Sequence, residues 1–439
     1  MYQNRAFELH THLYGCLREE ELKWLASRKD PRWHIFSSTY ESTYGQKPDL
    51  EGIFLPERSD DLRRYSIYES VGNFPEFQCC FDFVISVAHA DEEEVYEVAH
   101  RLASRQKEPY AEYRMLFGPQ LNLNDYRKRV ESLCEGFRDS GREGYLVMSL
   151  WRGGDLAGQQ YELLRELMHA NSAVRQRLVG IDFCAQEEGF PPQNKEELFR
   201  KVLQDNEEHP ESALSILYHV GESFQDKTLE SAARWVYQSA ELGAHRLGHC
   251  IALGQEPEEF LNSTRKEPVS ERIRQLQFER DLDLLVSYAN DSDLNREVER
   301  LKDLQNHWLE QEGRDSSGKD SQRSEGEPLI EVQYSRDHVD RLRDYQNQLM
   351  RRLATRATVI EVCPTSNLRI GAVKKHPVHR FLSNDLSVVV GADDPGIFDT
   401  DLEQEFQILK RDGVSESDLE RMVELSRKST SPALSGRSN

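Results

Sequence analysis

The sequence predicts an α/β protein built on a (β/α)8 barrel, and three observations support that prediction. Short runs rich in β-branched and aromatic residues recur along the chain, with stretches of helical periodicity between them. Eight such runs can be counted, which is the strand number of a barrel with helical crossovers. No glycine-rich phosphate loop follows the first run, so an open doubly wound sheet is the second choice.

The eight candidate strands are spread over most of the 439 residues. In chain order they are Ala6–His10, Tyr110–Phe117, Gly144–Leu150, Leu178–Phe183, Leu214–His219, Arg246–His249, Thr358–Cys363 and Leu386–Asp393. Helical stretches separate them, which is the pattern of parallel strands joined by crossovers.

Two intervals are too long for simple crossovers. Residues 19–109 contain the aromatic segment Phe74–Phe83 and the helical stretch Val95–Lys107. Residues 255–332 lie between strands six and seven and form an insert. Apolar side chains at helical spacing predict a helical hairpin in this insert, and they are Ile273, Leu276, Leu282, Leu285, Leu294, Val298, Leu301, Leu304 and Trp308.

Two polar segments lack such periodicity. The stretch 312–328 is rich in Gly, Ser and charge, which predicts a mobile loop. Residues 428–439 are also polar, which predicts a disordered tail. Residues 1–427 then form a single barrel domain.

The composition narrows the class of partner. Lys and Arg number 56 against 78 Asp and Glu, a net charge of −22. Because an acidic surface repels a phosphate backbone, we expect no nucleic-acid polymer, although a small anion can enter a locally positive pocket. The apolar runs Val84–Ala90 and Leu386–Ala392 are too short to span a membrane. Seven cysteines without framework spacing, and no visible targeting segment, favour a cytoplasmic protein with free thiols.

Paired histidines at the end of the first strand are the first chemical signal. His10 and His12 are two residues apart, so in a strand their side chains point to the same face. Two neutral imidazoles side by side suit a borderline metal such as zinc. The alternative is two ordinary histidines near a strand end.

Three further signals follow later strands. His219 ends strand five and Glu222 follows a glycine turn, where a partly desolvated carboxyl group can act as a general acid. His249 ends strand six, and Asp393 and Asp394 end strand eight. Taken singly, each has a plainer interpretation: a strand-end histidine, a surface glutamate, or turn chemistry at Asp-Pro-Gly. Together they fall at the carboxyl ends of strands, the barrel edge where active sites lie.

The order of these motifs resembles that of the adenosine deaminase family within the amidohydrolase barrels. The matching motifs are H-x-H-L-x-G at His10–Gly15, G-x-D with a nearby Glu at Gly180, Asp182 and Glu187, H-x-G-E at His219–Glu222, G-H at Gly248–His249, E-V-C-P-x-S at Glu361–Ser366 and D-D-P at Asp393–Pro395. Pro75–Phe83 is similar to the family's helical lid, so 19–109 is interpreted as the lid region, and Tyr110–Pro119 is similar to its second strand.

The resemblance implies one zinc ion per chain, held by His10, His12, His219 and Asp393. Zinc lowers the pKa of a bound water towards about 7, so that hydroxide is available to attack a purine. By the same resemblance His249 orients or deprotonates that water, Glu222 protonates the neighbouring ring nitrogen, and Asp394 shares a hydrogen bond with the ring. The backbone near Ala185 is expected to face the other edge of the purine.

Two positions depart from the family at expected substrate contacts. Tyr14 stands where the family has an aspartate that accepts a bond from the ribose 5′ hydroxyl, and a phenol can instead donate to phosphate. Ala185 stands where the family usually has glycine, and its methyl group narrows the approach to the base. The insert 255–332 is a third departure, interpreted as a peripheral hairpin, a lid over the pocket or a contact in a homo-oligomer.

Several functions remain open on the sequence alone. The first is deamination of adenosine or a closely related 6-aminopurine nucleoside. The second is deamination of a 5′-phosphorylated or N6-substituted adenine nucleotide, with Arg18, Arg152 and Arg369 as candidate phosphate contacts. A non-catalytic barrel that binds a purine and a phosphoesterase with an H-x-H start are further alternatives.

Overall fold

The computed structural model of the chain describes residues 2–311 and 326–438. Eight parallel strands form one curved sheet, in the order β1-β2-β3-β4-β5-β6-β9-β10. Their bounds are β1 (Glu8–His12), β2 (Ala111–Leu116), β3 (Gly144–Ser149), β4 (Leu178–Asp182), β5 (Ser215–Val220), β6 (Arg246–His249), β9 (Val359–Val362) and β10 (Val388–Val390). Each predicted strand overlaps one of these, so the (β/α)8 prediction is confirmed.

The sheet closes where β1 meets the residues that follow β10. Thr11 pairs with Asp393 in a parallel bridge. The His12 backbone N–H donates to the Asp393 carbonyl at 2.8 Å, and the Asp393 N–H donates to the His10 carbonyl at 2.9 Å. The backbone that closes the barrel therefore also carries three of the predicted metal ligands.

Helices connect the strands, and several begin with a side chain that caps the first turn. Within the described ranges they are α1 (Glu19–Arg28), α2 (His34–Tyr44), α3 (Ser59–Ser66), α4 (Phe74–Val87), α5 (Glu92–Arg105), α6 (Leu123–Asp139), α7 (Leu156–Ala170), α8 (Ser172–Arg177), α9 (Glu196–Glu208), α10 (Leu229–Glu241), α11 (Ile251–Gly254), α12 (Val269–Leu282), α13 (Asp291–Gln311), α14 (Arg336–Ala354), α15 (Pro364–Arg369), α16 (Val378–Ser383), α17 (Leu402–Arg411), α18 (Glu416–Lys428) and α19 (Ser431–Leu434). Asn73, Asp91 and Thr228, for example, each accept a backbone N–H three residues on, which stabilises the starts of α4, α5 and α10. None of the described helices is long and apolar enough to cross a membrane.

Charged side chains fill part of the barrel interior. Arg246 is fully buried and contacts both Glu112 and Glu361, the latter at 2.6 Å from its Nε. Arg114 also contacts Glu361. Because each buried charge has an opposite charge beside it, the interior avoids the cost of an isolated ion.

The C-terminal segment differs from the disordered tail that we predicted. Ser431 is fully buried, and its N–H and hydroxyl donate to Glu112 at 2.7 and 2.6 Å. The Ser215 hydroxyl donates to the Ser431 carbonyl at 2.7 Å, and Arg246 Nη1 donates to the Ser429 carbonyl at 2.6 Å. The tail prediction is wrong here because polar residues, which looked solvated in sequence, satisfy buried charges of the barrel.

The insert contains two helices. It also contains a small two-stranded sheet, which the sequence analysis did not predict. Strands β7 (Thr264–Pro268) and β8 (Leu329–Gln333) pair antiparallel at its base. Helices α12 and α13 pack on each other through a cluster of six apolar side chains, namely Val269, Ile273, Leu276, Leu294, Val298 and Leu301. Most of the predicted mobile loop, 312–325, lies outside the described residues.

A buried ionic cluster, which we call the insert cluster, fastens the insert to α10 and α14. It consists of Glu230, Glu267, Arg272 and His338. Arg272 lies 3.0 Å from Glu230 and 3.3 Å from Glu267, and His338 lies 3.3 Å from Glu230. The insert is thus part of the packed shell of the barrel.

Candidate metal centre

Four side chains that the sequence selected meet at the carboxyl end of the barrel. His10 and His12 lie on β1, His219 lies on β5, and Asp393 directly follows β10. His12 Nε2 is 3.3 Å from His219 Nε2 and 3.3 Å from Asp393 Oδ1, and His10 Nε2 is 3.5 Å from the same Asp393 oxygen. We call these residues the metal-donor cluster.

The cluster fits a divalent metal by the chemistry of its donors. His10, His12 and Asp393 have donor atoms within 4.8 Å of one another, as do His10, His219 and His249, and also His249, Cys363 and Asp393. Burial lowers the pKa of His219 to about 3, so its ring is neutral at pH 7, which is the form that binds metal. Three imidazole nitrogens and one carboxylate oxygen are a ligand set that zinc takes.

Two buried carboxylates orient the imidazoles. His10 Nδ1 lies 2.9 Å from Glu361 Oε2, and His219 Nδ1 lies 3.0 Å from Asp182 Oδ1. When Nδ1–H donates to a carboxylate, Nε2 carries the lone pair that faces the other donors. Glu361 and Asp182 lie in the motifs E-V-C-P-x-S and G-x-D, but the sequence analysis gave neither a role in the site.

Arg114 is a second residue that the sequence analysis missed. Its Nη1 is 3.0 Å from His10 Nε2 and 3.3 Å from His219 Nε2, and it is almost fully buried on β2. The donor atoms thus already attract a cation, and a metal held by these nitrogens would replace these hydrogen bonds. The position of an arginine within a strand gives no sequence signal for such a contact.

Backbone geometry places His10 and Asp394 closely against their neighbours. A Cβ atom at Gly391 would lie 2.5 Å from His10 Cβ, and one at Gly15 would lie 1.7 Å from Asp394 Oδ1. His249 and Asp393 adopt left-handed φ angles of 66° and 60°, a strained conformation for residues with side chains. Strain of this kind is typical of positions where a side chain must be aimed at a site.

Glu222 and His249 form a pair beside the donors. Glu222 Oε1 lies 3.4 Å from His249 Nδ1, and Asn367 Nδ2 donates to Glu222 Oε1 at 3.2 Å while lying 3.0 Å from His249 Nδ1. Burial, together with the charge of Asp393, raises the pKa of Glu222 well above its ordinary value. Burial lowers the pKa of His249 well below its usual range. Both shifts favour the uncharged forms, a protonated carboxyl group next to a neutral imidazole.

Asp394 is buried next to Asp393, and its Oδ1 has no hydrogen-bond partner among the described residues. Burial and then the Asp393 charge raise the pKa of Asp394 well above its ordinary value. A buried polar atom without a partner is rare in proteins, and Asp394 is among the residues that line the cavity beside the site.

The two expected substrate positions, Tyr14 and Ala185, both line this cavity. The Tyr14 hydroxyl donates to Glu94 at 2.8 Å, so it is engaged within the protein and not free to meet a phosphate. Ala185 is exposed and has a φ of 64°, the left-handed region in which the family's glycine is favoured.

The cavity has a volume of about 680 Å³ and is lined largely by apolar side chains of the lid region, including Phe74, Phe77 and Phe81. Its lining includes Arg32, Arg114 and Arg129. Arg18, Arg152 and Arg369, which the sequence analysis named, are not among its lining residues and instead donate to backbone carbonyls within the fold. No described residue of 255–332 lines it, so the interpretation of the insert as a lid has no support from this geometry.

Comparison with known proteins agrees with this geometry. The family model "Adenosine deaminase" matches residues 327–433. An adenosine deaminase from Streptococcus mutans is 25% identical over 259 residues, which are 57% of this chain and 63% of that protein. Over these segments the chain is similar to adenosine deaminases.

Other deaminases match over shorter segments. An aminodeoxyfutalosine deaminase from Acidothermus cellulolyticus is 50% identical over 62 residues, 13% of this chain and 17% of that protein. The chain therefore spans less than two thirds of the length of these curated relatives. The crystal structure of an adenine deaminase from Arthrobacter aurescens covers 97% of this chain and 94% of its own, with 18% identity and a TM-score of 0.53, a likeness that concerns the fold. The metal-donor cluster is a candidate His/Asp metal site of this chain.

Proposed function

We propose that this protein is a zinc-dependent aminohydrolase that converts adenosine or a related 6-aminopurine compound to the 6-oxo product and ammonia. One observation carries the proposal: the carboxyl group of Glu222 lies 3.4 Å from His249, beside a set of metal donors at the carboxyl end of the barrel. The names of the relatives, which include adenosine deaminase and aminodeoxyfutalosine deaminase, support the same reaction class.

His10, His12, His219 and Asp393 would hold one zinc ion. When bound, zinc supplies Lewis acidity and lets water ionise at a pKa of about 7. Asp182 and Glu361 keep the Nε2 atoms of His219 and His10 aimed at the ion.

The remaining residues handle protons and orientation. Glu222 donates its proton to the ring nitrogen next to the amine-bearing carbon, because its raised pKa favours the protonated form as the pH approaches neutral. His249, neutral at that pH, accepts a proton from the attacking water and is oriented by Asn367. Asp394 supplies the unpaired carboxyl oxygen that meets the ring edge. The amine then takes the proton held by His249 and leaves as ammonia, and the hydroxyl group on the same carbon returns a proton to Glu222 as the 6-oxo group forms. One water is consumed, and both residues regain their starting protonation.

Ammonia release from adenine, adenosine, AMP and ATP, with and without a chelator, tests the proposal. We expect release from at least one adenine compound and its loss on chelation. Glu222→Gln should lower kcat by about 10²- to 10⁴-fold while the zinc content stays unchanged. No release from any compound would favour a barrel that only binds a purine, and a fully active Glu222→Gln variant would remove the general acid from the account.

Deamination of an adenine nucleotide is the second candidate. It is favoured by the two arginines in the cavity wall, Arg32 and Arg129. The comparison of AMP with adenosine in the same panel separates the two candidates.

A further inference from the structure

Two arginines in the cavity wall have no acidic partner among the residues that the structure describes. Arg32 donates through Nη2 to the carbonyls of Ile85, at 2.7 Å, and Ala88, and its buried Nε has no partner. The Arg129 guanidinium lies 5.7 Å from the centre of the Phe117 ring and contacts no described carboxylate. The nearby Glu94 accepts bonds from Tyr14 and from the backbone of His89 and Ala90 instead.

The unpaired state of Arg129 stands out against its neighbours on α6. Arg127 pairs with Glu166 at 2.6 Å, and Arg138 pairs with Asp139 at 2.9 Å. With 78 acidic residues in the chain, an arginine that faces a cavity without an acid leaves that wall locally positive. Such a wall concentrates anions although the net charge is −22.

Arg129 and the metal donors reach the same cavity from different elements. His12 on β1 and His219 on β5 line it, and Arg129 lines it from α6, where its guanidinium lies 5.7 Å from the centre of the Phe117 ring. The wall also contains apolar side chains, Phe77 and Phe81 among them.

We propose that Arg129, with Arg32 beside the same cavity, binds an anionic group at the end of the substrate remote from the reacting amine. The substrate class is then a 6-aminopurine compound that carries a phosphate or a carboxylate on its sugar side. This inference rests on the proposed deaminase function and specifies its substrate.

The test compares selectivity between anionic and neutral substrates. Values of kcat/KM for AMP and for adenosine 5′-carboxylic acid are divided by the value for adenosine, in the full chain and in Arg129→Gln. Because a hydrogen bond to a charged group is worth roughly 10- to 100-fold, we expect the ratio for the preferred anion to fall by that factor. Arg127→Gln removes the same charge from the same helix and should change the ratio by less than about threefold.

Each outcome decides the proposal. If the protein prefers AMP, the group bound at the subsite is a phosphate. If it prefers adenosine 5′-carboxylic acid, the group is a carboxylate. A parent protein that prefers neutral adenosine, or an Arg129→Gln variant with an unchanged ratio, overturns the anion subsite.

If no compound is turned over, the proposed deaminase function is wrong. The anion subsite can still be tested, by calorimetric measurement of the binding of the same compounds to Glu222→Gln. The subsite is supported if Glu222→Gln binds an anionic compound more tightly than adenosine and if this preference disappears in the double variant Glu222→Gln, Arg129→Gln. Equal binding of charged and neutral compounds overturns it.

Discussion

The metal-donor cluster and the insert cluster are both buried and rich in ionisable groups, but their charges are arranged differently. In the insert cluster Arg272 lies within 3.3 Å of two glutamates, so opposite charges alternate. In the metal-donor cluster, by contrast, three imidazoles and a carboxylate turn donor atoms towards one another. Opposite buried charges that lie side by side avoid the cost of isolated ions, whereas converging imidazole and carboxylate lone pairs can also bind a metal cation.

Matched histidine substitutions should separate the two clusters most strongly. His219→Ala removes a metal donor, and we expect deaminase activity to fall by about 10³-fold or more, since the ion supplies several kcal/mol of catalysis. His338→Ala removes a buried histidine that also contacts a carboxylate, and activity should stay within about threefold. The activities of both variants are measured as ammonia release at saturating zinc. Equal losses of activity would show that the two clusters do not differ in function.

The carboxylate behind His219 should have a smaller effect. Asp182→Asn keeps the shape but weakens the bond to His219 Nδ1, so we expect a 10- to 100-fold loss in zinc affinity. Ser149→Ala removes the hydroxyl that donates to Asp182 at 3.0 Å and serves as the milder control. Zinc titration of the metal-free variants measures the change, and an unaltered affinity in Asp182→Asn would speak against its orienting role.

Breaking the insert cluster should change stability and leave the chemistry alone. Arg272→Met leaves Glu230 and Glu267 buried without their shared cation, which should cost about 3–5 kcal/mol of unfolding free energy. Activity per folded molecule should be unchanged. Urea unfolding and ammonia release on the same samples test this, and partial recovery of stability on adding Glu267→Gln would assign the loss to the unpaired carboxylate.

The smallest effect concerns the pH dependence of stability near the site. Burial raises the pKa of Glu187, whose carboxylate accepts the Gly221 N–H at 2.8 Å, from 4.5 to about 7. Because the pKa is raised in the folded state, the contribution of Glu187 to the free energy of unfolding is fully present below pH 4.5. It is lost as the pH rises through about 7.

Glu187→Gln should therefore lose less stability than the parent between pH 5 and 7, with slopes that differ by up to about 1.4 kcal/mol per pH unit. Urea unfolding at three pH values measures the slopes. Parallel curves would show that Glu187 does not titrate in this range.

The sequence predicted the barrel strands and the metal-donor cluster for identifiable reasons. Some of the runs that became strands are continuous in apolar residues because both faces of the strand are buried, as Val388–Val390 illustrates. The donors His10, His12, His219 and Asp393 lie at or just after the carboxyl ends of strands, where residue type and position together predict a site.

Other features depend on partners that are distant in the chain. Arg114 contacts His10 across 104 residues, and Ser431 satisfies Glu112 across 319 residues. Local pattern carries no record of such pairs, so Arg114 was missed and the C-terminal segment was predicted to be disordered. The same limit explains why Arg18, Arg152 and Arg369 were named for phosphate, while Arg129 lines the cavity.

The most direct test of the account is anomalous diffraction at the zinc edge from crystals of the zinc-loaded protein. We predict one peak per chain, at roughly 2.0–2.2 Å from His10 Nε2, His12 Nε2, His219 Nε2 and a carboxylate oxygen of Asp393. A peak elsewhere, or none between these four side chains, would contradict the metal centre and the deaminase function built on it.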